Sequence, residues 1–377
     1  MAENERKLPA KDEDFLAAVK QHGSYAAVAR AYGTADATVK QRMRNIRKRR
    51  PDLIGKAAAL ISEPTPDLAS AILADVQRNP RSMEELTAKH KATPEAIHGA
   101  IRMLSIQGYS IMEARGEYAL MRVPFVDYTS LHKIPYPDER VITFGAVSDS
   151  HYGSKMQQRT ALHKCYQVFE RHEIEHVFNS GDLIAGINMY PEQPYEICLH
   201  GADEQTEAAI ADYPTYPGCT THIIGGNHDA SFVKAAGHDV FRRFGAARKD
   251  IDYGGWYEAT FMLGPLRIRL WHPRGGVPYA KSYRIQRLSE GISYGPDAPH
   301  MVLYGHLHTF LQMEHQGMQQ WLIPCCEGKT AWTRRAGLTP TIGGCIITIV
   351  MSEDGSRIEQ MAQQLLRFPE IEHDWVP

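Results

Sequence analysis

The chain has 377 residues, 43% of them apolar and 23% charged, so two or three folded domains with real cores are expected. No stretch approaches the roughly 18 uninterrupted apolar residues of a membrane span, so no membrane-spanning helix is expected. The formal charge of −2 hides a local basic excess: residues 1–50 carry 12 Lys/Arg against 6 Asp/Glu, whereas residues 141–377 carry 20 against 26.

The opening MAENERKLPAKDEDF is polar and has no apolar h-region, so no secretory signal is expected. The six cysteines (Cys165, Cys198, Cys219, Cys325, Cys326, Cys345) lack the paired spacing of a zinc knuckle or a small disulfide scaffold. A reduced, cytoplasmic setting is the simpler reading.

In chain order, three short helical stretches come first. DEDFLAAVKQHG sets Phe15, Leu16 and Val19 on one face and stops at Gly23. SYAAVARAYG opens on Ser24 as an N-cap, and TADATVKQRMRNIRKRR starts at Thr34, spaces Val39, Met43 and Ile46 helically and ends at Pro51. Three such helices with tight turns predict a helix-turn-helix unit over residues 1–60. Lys40, Arg42, Arg44, Arg47, Lys48, Arg49 and Arg50 place seven basic side chains in eleven positions, enough to neutralise a row of DNA phosphates. A solvated basic helix, or a surface for an acidic protein, is the alternative.

A second unit is predicted over 61–123, after the Pro-containing ISEPTPD. DLASAILADVQRN reads as a helix, and SMEELTAKH as another with Ser82 as cap and Glu85 closing a capping box. TPEAIHGAIRMLSIQG has Thr93 as cap, Pro94 in the first turn, and Ile97, Ile101 and Leu104 inward. YSIMEARGEYALMRV reads as two strands around Arg115-Gly116. Three helices and a hairpin resemble a winged helix-turn-helix. Such modules bind DNA, and they also mediate dimerisation and protein docking, so a homo-oligomer or a protein partner through this unit is a further expectation.

From residue 124 to 377 the pattern changes to a layered α/β or α+β domain. VITFGAVSD, HVFNSGD, THIIGGNHD, LRIRLWH and HMVLYGHLH are short apolar runs, each ending in polar residues. Those ends offer Asp149 and His151, Asp182, Asn227 with His228 and Asp229, His272, then His306 and His308. A mixed carboxylate, imidazole and amide set suits Mn²⁺, Fe or Zn²⁺. About seven ligands exceed the needs of one ion and suit two that share a carboxylate. One GNHD alone would more often be a turn, and one buried His a core residue; five strand ends carrying such groups are hard to ascribe to packing.

The segments SDSHYG, NSGDLI, GGNHDA, LWHPRGG and YGHLHT resemble the five ordered motifs of the calcineurin-like metallophosphoesterases, over about residues 140–350. The resemblance implies an α+β fold, a two-sheet β-sandwich flanked by helices, here preceded by two small helix-turn-helix-like domains. It implies that Asp149, His151 and His308 hold one ion, Asn227, His272 and His306 a second, and that Asp182 bridges both. It makes His228 the acid or transition-state stabiliser and Asp229 the residue that orients it. Arg274 is a candidate phosphate contact. The second motif departs from the family in continuing as LIAG after Asp182, with Asn188 the nearest amide to stand in for the missing polar residue. The function expected is two-metal hydrolysis of phosphodiesters in nucleic acid, by a DNA nuclease that uses Mn²⁺, with Fe or Zn²⁺ as alternatives. A phosphomonoesterase or protein phosphatase is the enzymatic alternative, and a DNA-binding regulatory or assembly protein the non-enzymatic one.

Overall fold

A computed structural model describes residues 8–374 except 23, 51–61, 125–126, 128–129, 139, 277–279, 293–294 and 296. It divides into two compact units, Met1–Leu120 and Met121–Pro377. The expected stops at Gly23 and Pro51 lie outside the described residues.

In the first unit, helices α1 (Asp12–His22), α2 (Tyr25–Ala31) and α3 (Asp36–Arg49) enclose Phe15, Leu16, Val28, Val39, Met43 and Ile46 in one small core. Ser24 caps α2 by accepting the Ala27 N–H at 3.1 Å. The start of α3 differs from the expected Thr34: the Thr34 N–H is already committed to the Ala29 carbonyl at 2.9 Å, closing the end of α2. Ala35, in an extended conformation, stands at the cap of α3 and makes no side-chain capping bond.

A second core in the same unit is built from α4 (Pro66–Val76), β1 (Arg81–Ser82), α5 (Met83–His90), α6 (Pro94–Ile106), β2 (Ile111–Ala114) and β3 (Glu117–Leu120). Ser82 and Glu85 form a reciprocal capping box, at 3.2 and 3.1 Å. Thr93 caps α6 with Pro94 in its first turn. Arg115 and Gly116 both have positive φ, 56° and 80°, as a two-residue hairpin turn between twisted strands requires. The short β1 adds a third strand beside β3, giving the order β1-β3-β2.

The second unit contains two six-stranded sheets. One has the order β15-β14-β5-β6-β7-β8 and the other β12-β13-β11-β10-β9-β4. Their strands are β4 (Leu131–Ile134), β5 (Val141–Val147), β6 (His176–Asn179), β7 (Thr220–Gly225), β8 (Ile251–Trp256), β9 (Glu258–Leu263), β10 (Leu266–Trp271), β11 (Met301–Tyr304), β12 (Leu311–His315), β13 (Met318–Leu322), β14 (Gly343–Met351) and β15 (Ile358–Arg367). Helices α7 (Arg159–Arg171), α8 (Gln193–Glu196), α9 (Ala202–Asp212), α10 (Asp229–Ala236), α11 (Val240–Ala247), α12 (Lys281–Ser289) and α13 (Ala331–Arg335) complete it.

Period-two alternation explains the sandwich. On β10, Arg267, Arg269 and Trp271 are only half-buried, while the residues that alternate with them, Leu266, Ile268 and Leu270, are buried. These three apolar residues meet Ile142, Phe144, Phe178 and Ile347 of the other sheet in one core; each such fully buried side chain contributes roughly 1.5–3 kcal/mol. Val147 faces the opposite way, with Tyr166, Phe169 and Phe244 of α7 and α11. Ile285 of α12 covers Val302 and Leu322 on the outer face of the other sheet. The architecture is thus helices, sheet, sheet and helix, the two-sheet sandwich that was expected. Among the described residues, no helix is long and apolar enough to cross a membrane.

Candidate metal centre

Strands β5, β6 and β7 run parallel to one another, as do β10, β11 and β13. Parallel strands deliver the residues that follow them to one edge. Asp149 and His151 follow β5, Asp182 follows β6, Asn227 and His228 follow β7, His272 follows β10, and His306 and His308 follow β11. The loops after β5 and β6 lie side by side: the Asp149 N–H donates to the Gly181 carbonyl at 2.9 Å, and the His151 N–H to the Asp182 carbonyl at 3.1 Å.

Local backbone geometry sets the direction of these side chains. Asp149, His151, Asp182, His306 and His308 all have positive φ, 51°, 46°, 55°, 77° and 49°. Non-glycine residues rarely adopt this region, and such outliers gather at functional sites. Two glycines leave the space. A Cβ on Gly226 would lie 2.1 Å from Asp182 Oδ1, and one on Gly305 would lie 2.5 Å from Ser148 Oγ and 2.9 Å from His272 Nδ1.

Three donor groups result, each with its ligand atoms within 4.8 Å of one another: Asp149, His151 and His308; His151, Asp182 and His228; Asp182, His272 and His306. Two donors on one ion, each about 2.1 Å from it, can be at most about 4.2 Å apart. His308 Nε2 lies 3.4 Å from Asp149 Oδ1 and 3.1 Å from His151 Nε2, and His151 Nε2 lies 3.8 Å from Asp149 Oδ1. On the other side, His272 Nε2 lies 3.0 Å from Asp182 Oδ2 and 3.1 Å from Asn227 Oδ1. The same Asp182 oxygen is 4.0 Å from His151 Nε2, so this carboxylate sits between the two sets.

The chemistry of the donor set fits cations. Asp149, His151 and His272 are fully buried and Asp182 is 1% exposed, while His151 Nδ1 and His308 Nδ1 have no hydrogen-bond partner among the described residues. Burial works against charge on Asp149 and Asp182, yet the surrounding imidazoles hold both carboxyls below their usual range. Burial likewise opposes charge on His272, but the Asp182 and Asp149 carboxylates outweigh it and lift the ring to about 9. Without cations, buried anions are thus balanced by protonated rings, and divalent ions would have to displace those protons.

Carbonyl partners fix several tautomers, since a carbonyl only accepts. His272 donates its Nδ1–H to Ser180 and His228 its Nδ1–H to Ala185, both at 2.7 Å, leaving each Nε2 for the cleft. His306 donates Nε2–H to Gly275 at 2.6 Å and keeps Nδ1 free. Burial pushes both His228 and His306 down to about 4.

Asp229 does not orient His228 as expected. Its carboxylate accepts the N–H groups of Gly226 at 2.8 Å, Ile184 at 3.0 Å and Leu183 at 3.2 Å. Opening the helix α10, it ties together the two loops that carry Asp182 and Asn227, and the Ala185 carbonyl takes the role on His228 instead. Burial, with the Asp182 carboxylate nearby, pushes Asp229 up to about 7, against the three N–H donors. Asn188 is exposed and makes no stand-in. Arg274 is exposed, lines the cleft and lies 3.8 Å over the Tyr257 ring.

Glu327 was not found from the sequence. It follows β13, is 4% exposed, and places Oε2 3.7 Å from both His151 Nε2 and His308 Nδ1. WLIPCCEG has the same form as the other five runs, apolar residues ending in a polar one, but lacks a His or Asp pair to draw notice. Asp182, Asn227, His228, His306, His308 and Glu327 line one cleft of about 310 Å³.

The basic residues of α3, and Arg50 just after it, belong to the other unit, and they divide. Lys40 pairs with Asp36 and Glu63, both at 3.0 Å; Arg42 donates to the Ala10 carbonyl at 2.8 Å and lies over Phe15; Arg50 is 3.9 Å from Glu13. Arg44, Lys48 and Arg49 are exposed. The Arg47 side chain lies outside the described residues. Three members of the expected row of seven thus have an acid or a carbonyl as a neighbour within the unit.

Residues 142–327 match the model of the calcineurin-like phosphoesterase superfamily domain. The DNA polymerase II small subunit of Pyrococcus abyssi is 20% identical over 308 residues, covering 70% of this chain and 48% of that protein. That of Pyrococcus horikoshii is 21% identical over 319 residues, with the same coverage. The chain spans about half the length of these curated relatives. A solved structure described as a novel archaeal phosphodiesterase is similar at 14% identity and a TM-score of 0.35, covering 60% of this chain and all of that one.

Proposed function

We propose that the cleft of residues 142–327, the stretch that matches the calcineurin-like phosphoesterase domain, hydrolyses phosphodiester bonds of nucleic acid with two bound divalent cations. The observation that carries this reading is the position of Asp182 between two donor sets, Asp149 with His151 and His308, and Asn227 with His272 and His306. Mn²⁺ suits this mixture of imidazole, carboxylate and amide, with Fe or Zn²⁺ as alternatives. Cations held there supply Lewis-acid charge and a nucleophilic water at neutral pH.

The chain's own groups do the rest. Arg274, at the mouth, draws in the phosphate. His228 is neutral when the cleft is empty, with its Nδ1–H on Ala185. An anionic phosphate beside it favours the protonated ring, which then donates from Nε2 to the leaving oxygen. Arg44, Lys48 and Arg49 on α3 neutralise DNA phosphates without reading bases. The names of the Pyrococcus relatives support a DNA-associated role, and they also favour a second reading, a subunit of a DNA-handling assembly. The intact donor set argues for the enzymatic one.

The test is Mn²⁺-dependent cleavage of single- and double-stranded DNA by the full chain and by Asp182→Ala. Cleavage lost in the variant is expected. Rapid turnover of a phosphomonoester with DNA untouched would make the protein a monoesterase; tight DNA binding without hydrolysis would make it a binding subunit.

A further inference from the structure

We propose that Met189, Tyr190 and Trp332 form a stacking seat for one nucleobase beside the metal centre, so that the substrate enters as an unpaired strand or a frayed end. The assignment rests on the phosphodiester reading and adds which form of nucleic acid the cleft takes.

The three residues line the same cleft as Asp182, Asn227 and His308. They come from two short segments, one around α8 and one on α13, and the two are fastened together. The Glu196 carboxylate accepts the Tyr190 hydroxyl at 2.8 Å with one oxygen and the Ala331 N–H, at the start of α13, at 2.7 Å with the other. Arg335 of α13 reaches Glu192 of the first segment at 2.8 Å. Thr330 caps α13 by accepting the Thr333 N–H at 3.1 Å. The wall is also anchored to the centre: buried Gln193 accepts the Met189 N–H at 2.8 Å and donates to the Ala185 carbonyl at 2.7 Å, the carbonyl that orients His228.

The chemistry of this wall selects its occupant. An aromatic ring, an indole and a thioether offer polarisable surface in the same cleft as the candidate metal ligands, and every nucleobase has a face that stacks on such groups. The Tyr190 hydroxyl hydrogen is already committed to Glu196, so it is not free to donate to a base edge, which leaves stacking as the main contact. A base inside a duplex has both faces covered by its neighbours, so it must leave the stack to meet this wall. The cleft encloses about 310 Å³, a volume on the scale of a small ligand.

The experiment uses the full chain with Mn²⁺ on a labelled single-stranded oligonucleotide, on the same oligonucleotide with one tetrahydrofuran abasic residue at the cleaved position, and on its duplex. Loss of one stacked base corresponds to roughly 5- to 150-fold. Trp332→Ala should raise KM by that order on the intact strand, Trp332→Phe should restore most of it, and the abasic strand should be cut poorly by wild type with little further loss in Trp332→Ala. Blunt duplex should be cut more slowly than single strand. Unfolding curves that match the wild type confirm that the variants fold. Equal losses on intact and abasic strands, or equal cutting of duplex and single strand, would overturn the stacking seat while leaving hydrolysis in place. Wild-type failure on every oligonucleotide would instead bring down the phosphodiester reading itself.

Discussion

The metal cleft and helix α3 are both clusters of polar side chains, yet they sit at opposite extremes of burial. Asp149, His151, Asp182 and His272 lie at 0–1% exposure, while Arg44, Lys48 and Arg49 are exposed to solvent. A buried charge without a partner is costly, so each member of the cleft must be answered by another group or by a bound ion. Exposed charges carry no such obligation. Their row partly satisfies itself within the unit, as Lys40 does with Asp36 and Glu63. Burial therefore constrains what the cleft can be, while exposure leaves α3 open to several partners.

The sharpest way to break this contrast is Asp182→Ala. Losing the shared carboxylate should remove both ions and reduce DNA cleavage to background, read by metal content and by rate. Titrating metal-free wild type with Mn²⁺ near pH 7 should release protons, because His272 is held up to about 9 and must give up its proton to bind. A variant that kept two ions would show that the carboxylate is not shared.

His228→Ala should leave both ions bound and slow turnover by about 10²–10⁴-fold. The sign of its pH effect follows from the donor role. The protonated ring exists below its pKa and is lost as pH rises, so the wild-type rate should fall on the alkaline side and the variant should lack that fall. A retained alkaline limb in the variant would assign the proton to another group.

For α3, replacing Arg44, Lys48 and Arg49 together by Ala should flatten the salt dependence of DNA binding by roughly one unit of log–log slope per lost phosphate contact. Lys40→Ala, whose charge is already engaged, should change the slope less. An unchanged slope in the triple variant would remove the helix from the interface. The smallest effect is expected from Ser82→Ala, which breaks the capping box of α5 at a cost of about 1 kcal/mol and should lower the Tm of the first unit without altering Mn²⁺ affinity.

Much of this was legible from residue order where one local rule decides the outcome. Ser24, Ser82 and Thr93 cap helices because a short side-chain oxygen beside an apolar-periodic run has one favourable use. Arg115-Gly116 turns the hairpin because two left-handed residues fit there. The strand-end pattern gathered Asp149, His151, Asp182, Asn227, His272, His306 and His308 into one cleft-side cluster. What escaped depends on tertiary neighbours. Asp229 is held by two amides of the loop after β6 and one of its own loop, Ala35 rather than Thr34 caps α3, and Glu327 follows a sixth strand whose run carries no paired motif. Lys40, Arg42 and Arg50 likewise meet Glu63, the Ala10 carbonyl and Glu13 only once the unit folds.

The backbone angles of 46° to 77° at Asp149, His151, Asp182, His306 and His308 carry a lesson for anyone transplanting this centre. Copying the side chains onto a regular scaffold would aim them wrongly, since their convergence is made by five left-handed bends. A graft must import the bends with the residues, and a β-branched replacement at any of them would be resisted by the main chain before chemistry was even consulted.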